Sequence, residues 1–305
     1  MEVIYLNEQN NLVLRPSCVA LGFFDGFHLG HLKLVKEVID VAKKNNLKKG
    51  LLTFDVQPKS YLTNQSFKYL MSLEDKIELL NKYNFDYLFV LRFNEALAKL
   101  EPKKFIEEYI IEPKIKHVVC GFDFHFGNRG LGDSDILIAN SNDDYQVTVI
   151  EKLEYEHHKI SSSYLRTLLN NGDVETVTKL LNRPYSVSGE VIYGRQNGHK
   201  IGFPTANIDA KDYVLPQNGV YGAKVYIDDK VYLGMANLGF NPTFKTLSKV
   251  SLEVNIFDFD EDIYGKVITI AFINKIRVEK KFESISKLID QLKNDKQLIL
   301  TQIKL

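Results

Sequence analysis

Residues 22–31, GFFDGFHLGH, indicate the architecture of the N-terminal half. This stretch overlaps the end of an apolar run at 18–24 that predicts a buried strand. It also begins an amphipathic pattern over 29–44 that predicts a helix. The apolar positions that share one face of this helix are Leu32, Val35, Val38, Ile39 and Ala42. A strand that turns into a helix through glycines is typical of an open parallel sheet, in which ligands bind at the carboxyl ends of the strands.

The rest of the first half alternates in the same way. Further strands are predicted at 50–54, 87–91, 116–121 and 145–150, and further helices at 73–83, 102–110 and 133–140. This alternation predicts an α/β domain with a doubly wound parallel sheet. Two short helices follow at 163–169 and 174–181, the second with Asp173 as its N-cap.

Beyond Pro184 the pattern changes from alternating strands and helices to successive strands. Strands are predicted at 186–193, 219–227, 230–238, 252–257 and 267–278, and one helix at 285–303. We expect an antiparallel barrel or sandwich with a C-terminal helix. The predicted domains are therefore 1–183 and 184–305, and the second is expected to form an independent barrel.

Composition narrows the functional classes. The chain of 305 residues carries 39 basic and 39 acidic side chains, so a chain-wide polycation for nucleic acid is not expected. No apolar run approaches the ~18 residues of a membrane span, and the first residues lack the pattern of a signal peptide. The two cysteines do not form a disulfide framework, which favours a reducing cytoplasm.

The first candidate site is the stretch at 22–31. Gly22, Gly26 and Gly30 allow the backbone to approach a ligand closely, and the start of the helix offers free N–H groups to phosphate. His28 and His31 are three residues apart, so they share a helix face and can donate to phosphate oxygens. The alternatives are ordinary core or surface histidines, or zinc ligands without a nearby third partner.

Two further segments extend this candidate site. Hydroxyls at Ser161, Ser162 and Ser163 precede Arg166 at a helix start, which is ordinary helix capping or a phosphate clamp. The loop at 121–133 is rich in glycine and aromatic residues. Its Phe124 and Phe126 are either stacking partners for a planar ring or residues of the core.

The C-terminal half carries a second candidate site. Gly194, Gly198 and Gly202 suit a flap over phosphates, and Thr205 and Asn207 alternate on one strand face with oxygens suited to Mg²⁺. Glu253 lies in an otherwise apolar strand, where an unpaired carboxylate is costly unless it faces solvent.

These motifs resemble a known family. Residues 22–31 resemble the HxGH signature of the nucleotidylyltransferase superfamily, and 161–166 resemble its ISSTxxR partner motif. With the loop at 121–127, this half is similar to the FMN adenylyltransferase module of prokaryotic bifunctional riboflavin kinase/FAD synthetases. Residues 194–208 resemble the PTAN motif of riboflavin kinases. Family-like motifs follow in order at 216–221, 237–244, 252–256, 262–265 and 276–277.

The resemblance implies two activities and a set of roles. The C-terminal module would make FMN from riboflavin and ATP, and the N-terminal module would make FAD and pyrophosphate from FMN and a second ATP. Catalytic roles would fall to Glu253, as the base, and to His28 and His31. The nucleotide site would comprise Gly22, Phe24, Gly26, Gly30, Ser161, Ser162, Ser163, Arg166, Gly194, Gly198, Gly202, Thr205 and Asn207. Flavin would contact Asp123, Phe124, Phe126, Asn237 and Arg277. Mg²⁺ would be held by Thr205 and Asn207, and the small-molecule partners would be riboflavin, FMN, FAD, ATP, ADP and AMP.

Three positions depart from the family pattern. Gln57 stands where the family usually has histidine before Pro58, Ser163 replaces a threonine, and Phe27 replaces a valine. Glutamine donates and accepts hydrogen bonds but carries no charge. Gln57 therefore motivates one alternative, a kinase with an impaired N-terminal module. A second alternative is a flavin-nucleotide sensor without turnover.

Overall fold

The computed structural model describes residues 1–8, 13–194, 197–210, 212–240 and 250–304. The chain divides into two compact units, Met1–Ser161 and Ser162–Leu305. Two parts of the quoted motifs, residues 195–196 and 241–244, lie outside the described ranges.

The first unit is an α/β domain. Its strands are β1 (Glu2–Tyr5), β2 (Ser17–Leu21), β3 (Lys48–Phe54), β4 (Tyr87–Leu91), β5 (Ile115–Gly121), β6 (Gln146–Ile150) and the short pair β7 (Glu154–Tyr155) and β8 (His158–Lys159). Its helices are α1 (Leu29–Asn45), α2 (Pro58–Thr63), α3 (Leu73–Lys82), α4 (Glu95–Ala98), α5 (Pro102–Ile106) and α6 (Ser134–Ala139). A π-helical turn over Glu107–Ile111 continues α5, and a 3₁₀ turn covers Asn128–Gly130.

The parallel sheet has the strand order β1-β4-β3-β2-β5-β6. Every residue of β2 and β4 is buried, as in a parallel sheet covered on both faces. Alternate residues of β2 enter two different cores: Val19 and Leu21 face one, whereas Cys18 and Ala20 face the other. The predicted doubly wound sheet is confirmed.

The second unit begins with two helices, α7 (Ser162–Asn170) and α8 (Val174–Leu181). Its strands are β9 (Tyr185–Ile192), β10 (Ala206–Asp209), β11 (Gly219–Ile227), β12 (Lys230–Phe240), β13 (Val250–Ile256) and β14 (Val267–Arg277). A short helix α9 (Asn197–Lys200) precedes β10, and α10 (Ile285–Gln302) follows β14.

The six strands close into an antiparallel barrel in the order β10-β13-β12-β11-β14-β9. This confirms the barrel and the C-terminal helix. The helix pair α7–α8 belongs to the same compact unit as the barrel, and α8 packs against β14 and β9. The boundary at 183/184 between two functional domains stays a prediction.

Two further sequence expectations concern the cysteines and membrane-spanning helices. Cys18 and Cys120 are free and buried, and burial raises their pKa values to about 12 and about 11 respectively. Among the described residues, we find no helix with the length and apolar character needed to cross a bilayer.

Candidate active sites

The first candidate site lies at the topological switch point of the parallel sheet. The chain passes from β2 through β3 to β4 on one side, then returns to place β5 and β6 on the other. Leu21 and Cys120 pair near the carboxyl ends of β2 and β5. The loops at 22–31 and 121–133 therefore leave the sheet side by side, where ligands of such sheets bind.

His28 and His31 come together at the start of α1. His28 is the N-cap residue, and its Nδ1 accepts a hydrogen bond of 3.4 Å from the backbone N–H of His31. Their rings stack with centroids 3.7 Å apart. Because Nδ1 accepts, the proton of a neutral His28 imidazole is on Nε2, which is then a donor. A Cβ at Gly30 would lie 3.1 Å from that Nδ1, so glycine lets the imidazole fold over the first turn.

The side chain of Phe24 belongs to the core beneath these histidines. It is 1% exposed, stacks on Phe27 at 5.3 Å and approaches the ring of His31 at 5.1 Å. Only the backbone of Phe24 can therefore serve the predicted phosphate contact. That backbone is left-handed at Phe24 (φ 54°), Gly26 (φ 91°) and Phe27 (φ 48°).

The aromatic loop is divided between core and surface. Phe126 is 3% exposed and packs on Phe105 and Phe124 with centroids 4.9 and 5.7 Å apart, so its ring plugs the core. Phe124 is half-buried, and Asp123 forms an ion pair with Lys159. The ammonium group of Lys159 also lies 4.6 Å from the ring centroid of Phe122. Sequence reasoning missed Lys159, because no motif marks it.

The serine-arginine segment spans the division between the units. Ser161 ends the first unit, whereas Ser162, Ser163 and Arg166 lie on α7 in the second. That these serines and Arg166 share one phosphate site with His28 and His31 stays a prediction.

Gln57, one of the three residues that depart from the family pattern, has a structural role. Gln57 is the N-cap of α2, and its side-chain oxygen accepts from the backbone N–H of Ser60.

The second candidate site is a row of polar side chains across three strands of the barrel. Asn207 on β10 pairs with Glu253 on β13, and Glu253 pairs with Asn237 on β12. Residues directly opposite one another on neighbouring strands point to the same face. All three side chains are half-buried, and Thr205 Oγ1 donates to Glu253 Oε2 at 3.4 Å. The structure thus brings together four residues that the sequence assigned to this site.

Close backbone packing shapes the loop that leads into this row. A Cβ at Gly194 would lie 2.0 Å from Asn207 Nδ2, so only glycine admits that amide. The turn from Gly198 closes when the N–H of Phe203 donates to the Gly198 carbonyl at 2.9 Å, and Gly202 has φ +78°.

A buried amide that sequence reasoning missed fixes the residue before Thr205. Asn255 is 6% exposed, and its Nδ2 donates to the Pro204 carbonyl at 2.6 Å. Asn255 lies two residues after Glu253 on β13, so one strand supports both the carboxylate and the loop.

A cavity of about 470 Å³ opens beside Thr205. Val191, Val254, Ile256 and Ile263 give it an apolar wall, and Asp260, Glu261 and Asp262 contribute carboxylates. Tyr264 also lines the cavity and stacks on Tyr193 with ring centroids 4.0 Å apart.

Arg277, predicted to contact flavin, has a partner within the protein. Its Nε donates to Asp295 Oδ2 on α10 at 2.8 Å, and the Asp295 side chain is 3% exposed. Gln291 donates to the other carboxylate oxygen at 2.8 Å. Arg277 therefore anchors α10 to the end of β14, and its flavin contact stays a prediction.

The donor chemistry of the second site suits a hard cation. Thr205 and Asn207 offer a hydroxyl and an amide oxygen, the neutral oxygen ligands that Mg²⁺ combines with phosphates and water. Over the ranges that the structure covers, no group of three or more His, Cys, Asp and Glu side chains is arranged to hold a metal ion.

Comparison with known proteins matches both units to families. The FAD synthetase family model matches residues 11–164, and the riboflavin kinase family model matches residues 181–303. The bifunctional riboflavin kinase/FMN adenylyltransferase of Bacillus subtilis is 39% identical, with 97% of this chain and 96% of its own covered. The protein of the same name from Listeria monocytogenes is 39% identical, with coverage of 92% and 90%.

A solved structure shares the whole fold. A crystal structure described as a macrolide-efflux protein from Streptococcus pneumoniae matches with a TM-score of 0.87 and 30% identity over 99% of both chains. That description belongs to the Streptococcus protein alone. Both family models and the two near-full-length relatives agree on one assignment. The chain is a transferase of the bifunctional riboflavin kinase/FMN adenylyltransferase family, with both activities in one polypeptide.

Proposed function

We propose that riboflavin is phosphorylated at the row formed by Asn207, Glu253 and Asn237. The observation that carries this proposal is the strand register, which aligns the three side chains on one face beside Thr205. Glu253 is the carboxylate of the row, and the hydroxyl of Thr205 donates to it. A carboxylate held beside a phosphate-binding loop suits the abstraction of a hydroxyl proton.

In this reaction the 5′-hydroxyl oxygen of the ribityl chain forms a bond to the γ-phosphorus of ATP. The bond from that phosphorus to the β–γ bridging oxygen breaks, and ADP leaves. Glu253 accepts the hydroxyl proton, and Asn237 lies on the same face to orient the flavin chain. Positioning and charge stabilisation dominate catalysis of such transfers.

We place the adenine of ATP in the cavity beside Thr205. Its apolar wall suits the flat face of adenine, and the carboxylates at 260–262 accept from amino and hydroxyl donors but repel phosphate. The phosphates are then proposed to point toward Thr205, Asn207 and the glycines Gly194, Gly198 and Gly202. Mg²⁺ bound through Thr205 and Asn207 would neutralise charge on the phosphate oxygens.

The FMN adenylyltransferase reaction belongs to the switch point of the parallel sheet. A phosphate oxygen of FMN bonds to the α-phosphorus of a second ATP, and pyrophosphate leaves as the bond to the bridging oxygen breaks. His28 Nε2, the half-buried His31 and the start of α1 can donate to the charge that develops. Ser161, Ser162, Ser163 and Arg166 are proposed to hold the leaving phosphates, and Asp123 and Phe124 to contact flavin. A cytoplasmic location stays a prediction from the low cysteine content.

A pair of variants tests both assignments at once. Glu253→Gln keeps the size but removes the base, so riboflavin kinase kcat should fall by about 10²–10⁴-fold. FAD formation from supplied FMN should be unchanged. Glu190→Gln, an exposed change on β9 of the same barrel, is the matched control.

His31→Ala should lower FAD formation by about 10²–10³-fold and leave the kinase intact. Equal loss of both activities in either variant would contradict the assignment.

A further inference from the structure

The turn between β2 and α1 depends on contacts from outside itself. Three residues within 24–27 have left-handed backbone, and two of them are phenylalanines, for which that conformation is strained. Such a turn persists only when its surroundings hold it. Thr53, Leu70 and Lys76 make these contacts.

Lys76 is the least expected of these contacts. It lies on α3, is 3% exposed, and its Nζ donates to the Phe23 carbonyl at 2.8 Å. The same ammonium group is 4.4 Å from the ring centroid of Phe23. Lysine is almost never fully buried unless it is paired, so this burial calls for a reason.

The other contacts fasten the same turn. Thr53 Oγ1 at the end of β3 donates to the same Phe23 carbonyl at 3.0 Å. Asp25, itself 3% exposed, accepts from the backbone N–H of Leu70 at 2.8 Å. α3 and the segment before it therefore hold the turn at Phe23 and at Asp25, shortly before His28.

We propose that Lys76 is a positioning residue for FMN adenylyltransfer: its ammonium group holds the turn at 23–27 in the form that presents His28 and His31. This inference rests on the proposed function of the switch-point site. Lys76 acts through the Phe23 carbonyl and the neighbouring Asp25. A change at Lys76 should therefore affect the adenylyltransferase activity and leave the kinase activity unchanged.

The charge of Lys76 gives this role a pH signature. Burial lowers the pKa of Lys76, and the carboxylates of Asp25 and Asp75 partly offset that effect, which leaves the pKa at about 8. Asp75 faces Lys76 from its own helix and Asp25 from the turn. Deprotonation above about pH 8 removes the charge that ties the turn to α3, so FAD formation should decline there.

Loss of stability does not explain such a decline. The folded-state pKa lies below the ordinary lysine value of 10.5. Between these two pH values the unfolded chain binds the additional proton, so the contribution of Lys76 to the free energy of unfolding rises with pH. Activity and stability therefore respond to this group with opposite signs.

The experiment measures kcat for FAD formation from FMN between pH 6.5 and 9.5, with riboflavin kinase activity measured in the same samples. The unchanged protein should show an alkaline limb near pH 8 in FAD formation and no matching limb in the kinase. Lys76→Met should lower FAD formation about 10- to 100-fold and abolish the limb, because a displaced turn misplaces the donors. Lys82→Met, on the same helix with an exposed side chain, should behave as the unchanged protein.

The outcomes separate this inference from the proposed site. If Lys76→Met keeps its kcat and its limb while His31→Ala loses FAD formation, the inference alone is overturned. If His31→Ala keeps FAD formation, the site assignment fails as well. If Lys76→Met does not fold, the unchanged protein decides: a limb confined to FAD formation supports the inference, and a limb that is absent or shared by the kinase overturns it.

Discussion

Asn255 is the residue on which the geometry of the kinase site depends most directly. Its buried amide holds the Pro204 carbonyl at 2.6 Å, one residue before Thr205. Replacement by leucine leaves that carbonyl without this donor, at a cost of about 1–3 kcal/mol in stability. The loop that carries Thr205 then loses its fixed distance to Glu253.

We therefore expect Asn255→Leu to lower riboflavin kinase kcat about 10- to 100-fold, since small displacements of positioned groups cost that much. FAD formation from FMN should not change. Asn274→Leu makes the same replacement elsewhere in the barrel, where the amide donates to Gln302. Kinase kcat and urea midpoints of both variants are the measurements. A kcat loss of equal size in Asn274→Leu would show that the effect is not specific to the loop.

Single residues show where sequence reasoning succeeds and where it stops. Glu253 stands out in the sequence because a carboxylate in an apolar strand conflicts with its surroundings. Its role as the base is what the family resemblance implies, and that role stays a prediction. Lys76 and Asn255 do not stand out, because a lysine in an amphipathic helix and an asparagine in a strand are usually solvated. The sequence leaves Phe126 as either a core residue or a flavin contact, and the structure buries its ring. Sequence does not tell a core aromatic residue from a stacking one.

At the scale of elements, α8 ties the helix pair to the barrel. Asp173 Oδ1 accepts from the N–H of Thr176 at 2.9 Å, which confirms the predicted N-cap. Asp173→Ala should reduce the free energy of opening of α8 by about 0.5–2 kcal/mol. Hydrogen exchange of the α8 amides measures this. Asp173→Asn should retain most of the protection, and unchanged exchange in Asp173→Ala would count against the cap.

Elements with strong periodicity were predicted closely. The helix predicted at 174–181 coincides with α8, and the strand predicted at 87–91 coincides with β4. The sequence pattern does not predict two short elements, β1 and α2. β1 has four residues whose partner, β4, lies more than eighty residues away, and α2 buries none of its residues. Residues 3–6 are apolar, but so short a run does not tell a strand from a buried helix, and α2 leaves no apolar face to detect.

At the scale of the whole molecule, the second compact unit begins at Ser162. α8 buries Val174, Val177 and Leu180 completely, and full burial of one such side chain is worth about 1.5–3 kcal/mol. A fragment of residues 162–305 should therefore fold and retain riboflavin kinase activity. A fragment of residues 184–305, which lacks both helices, should have a lower urea midpoint. Equal midpoints for the two fragments would show that the helices add nothing to the barrel.

Two separate active sites in one chain can exchange FMN through solution, and complementation between two variants tests this separation. Glu253→Gln and His31→Ala are each supplied with riboflavin, ATP and Mg²⁺, alone and mixed, and the flavins are separated by chromatography. Alone, Glu253→Gln should leave riboflavin nearly unconverted, and His31→Ala should accumulate FMN. The mixture should form FAD, because FMN released by one protein is adenylylated by the other. A mixture that accumulates FMN without FAD, or a Glu253→Gln protein that makes FAD from riboflavin unaided, would contradict the claim.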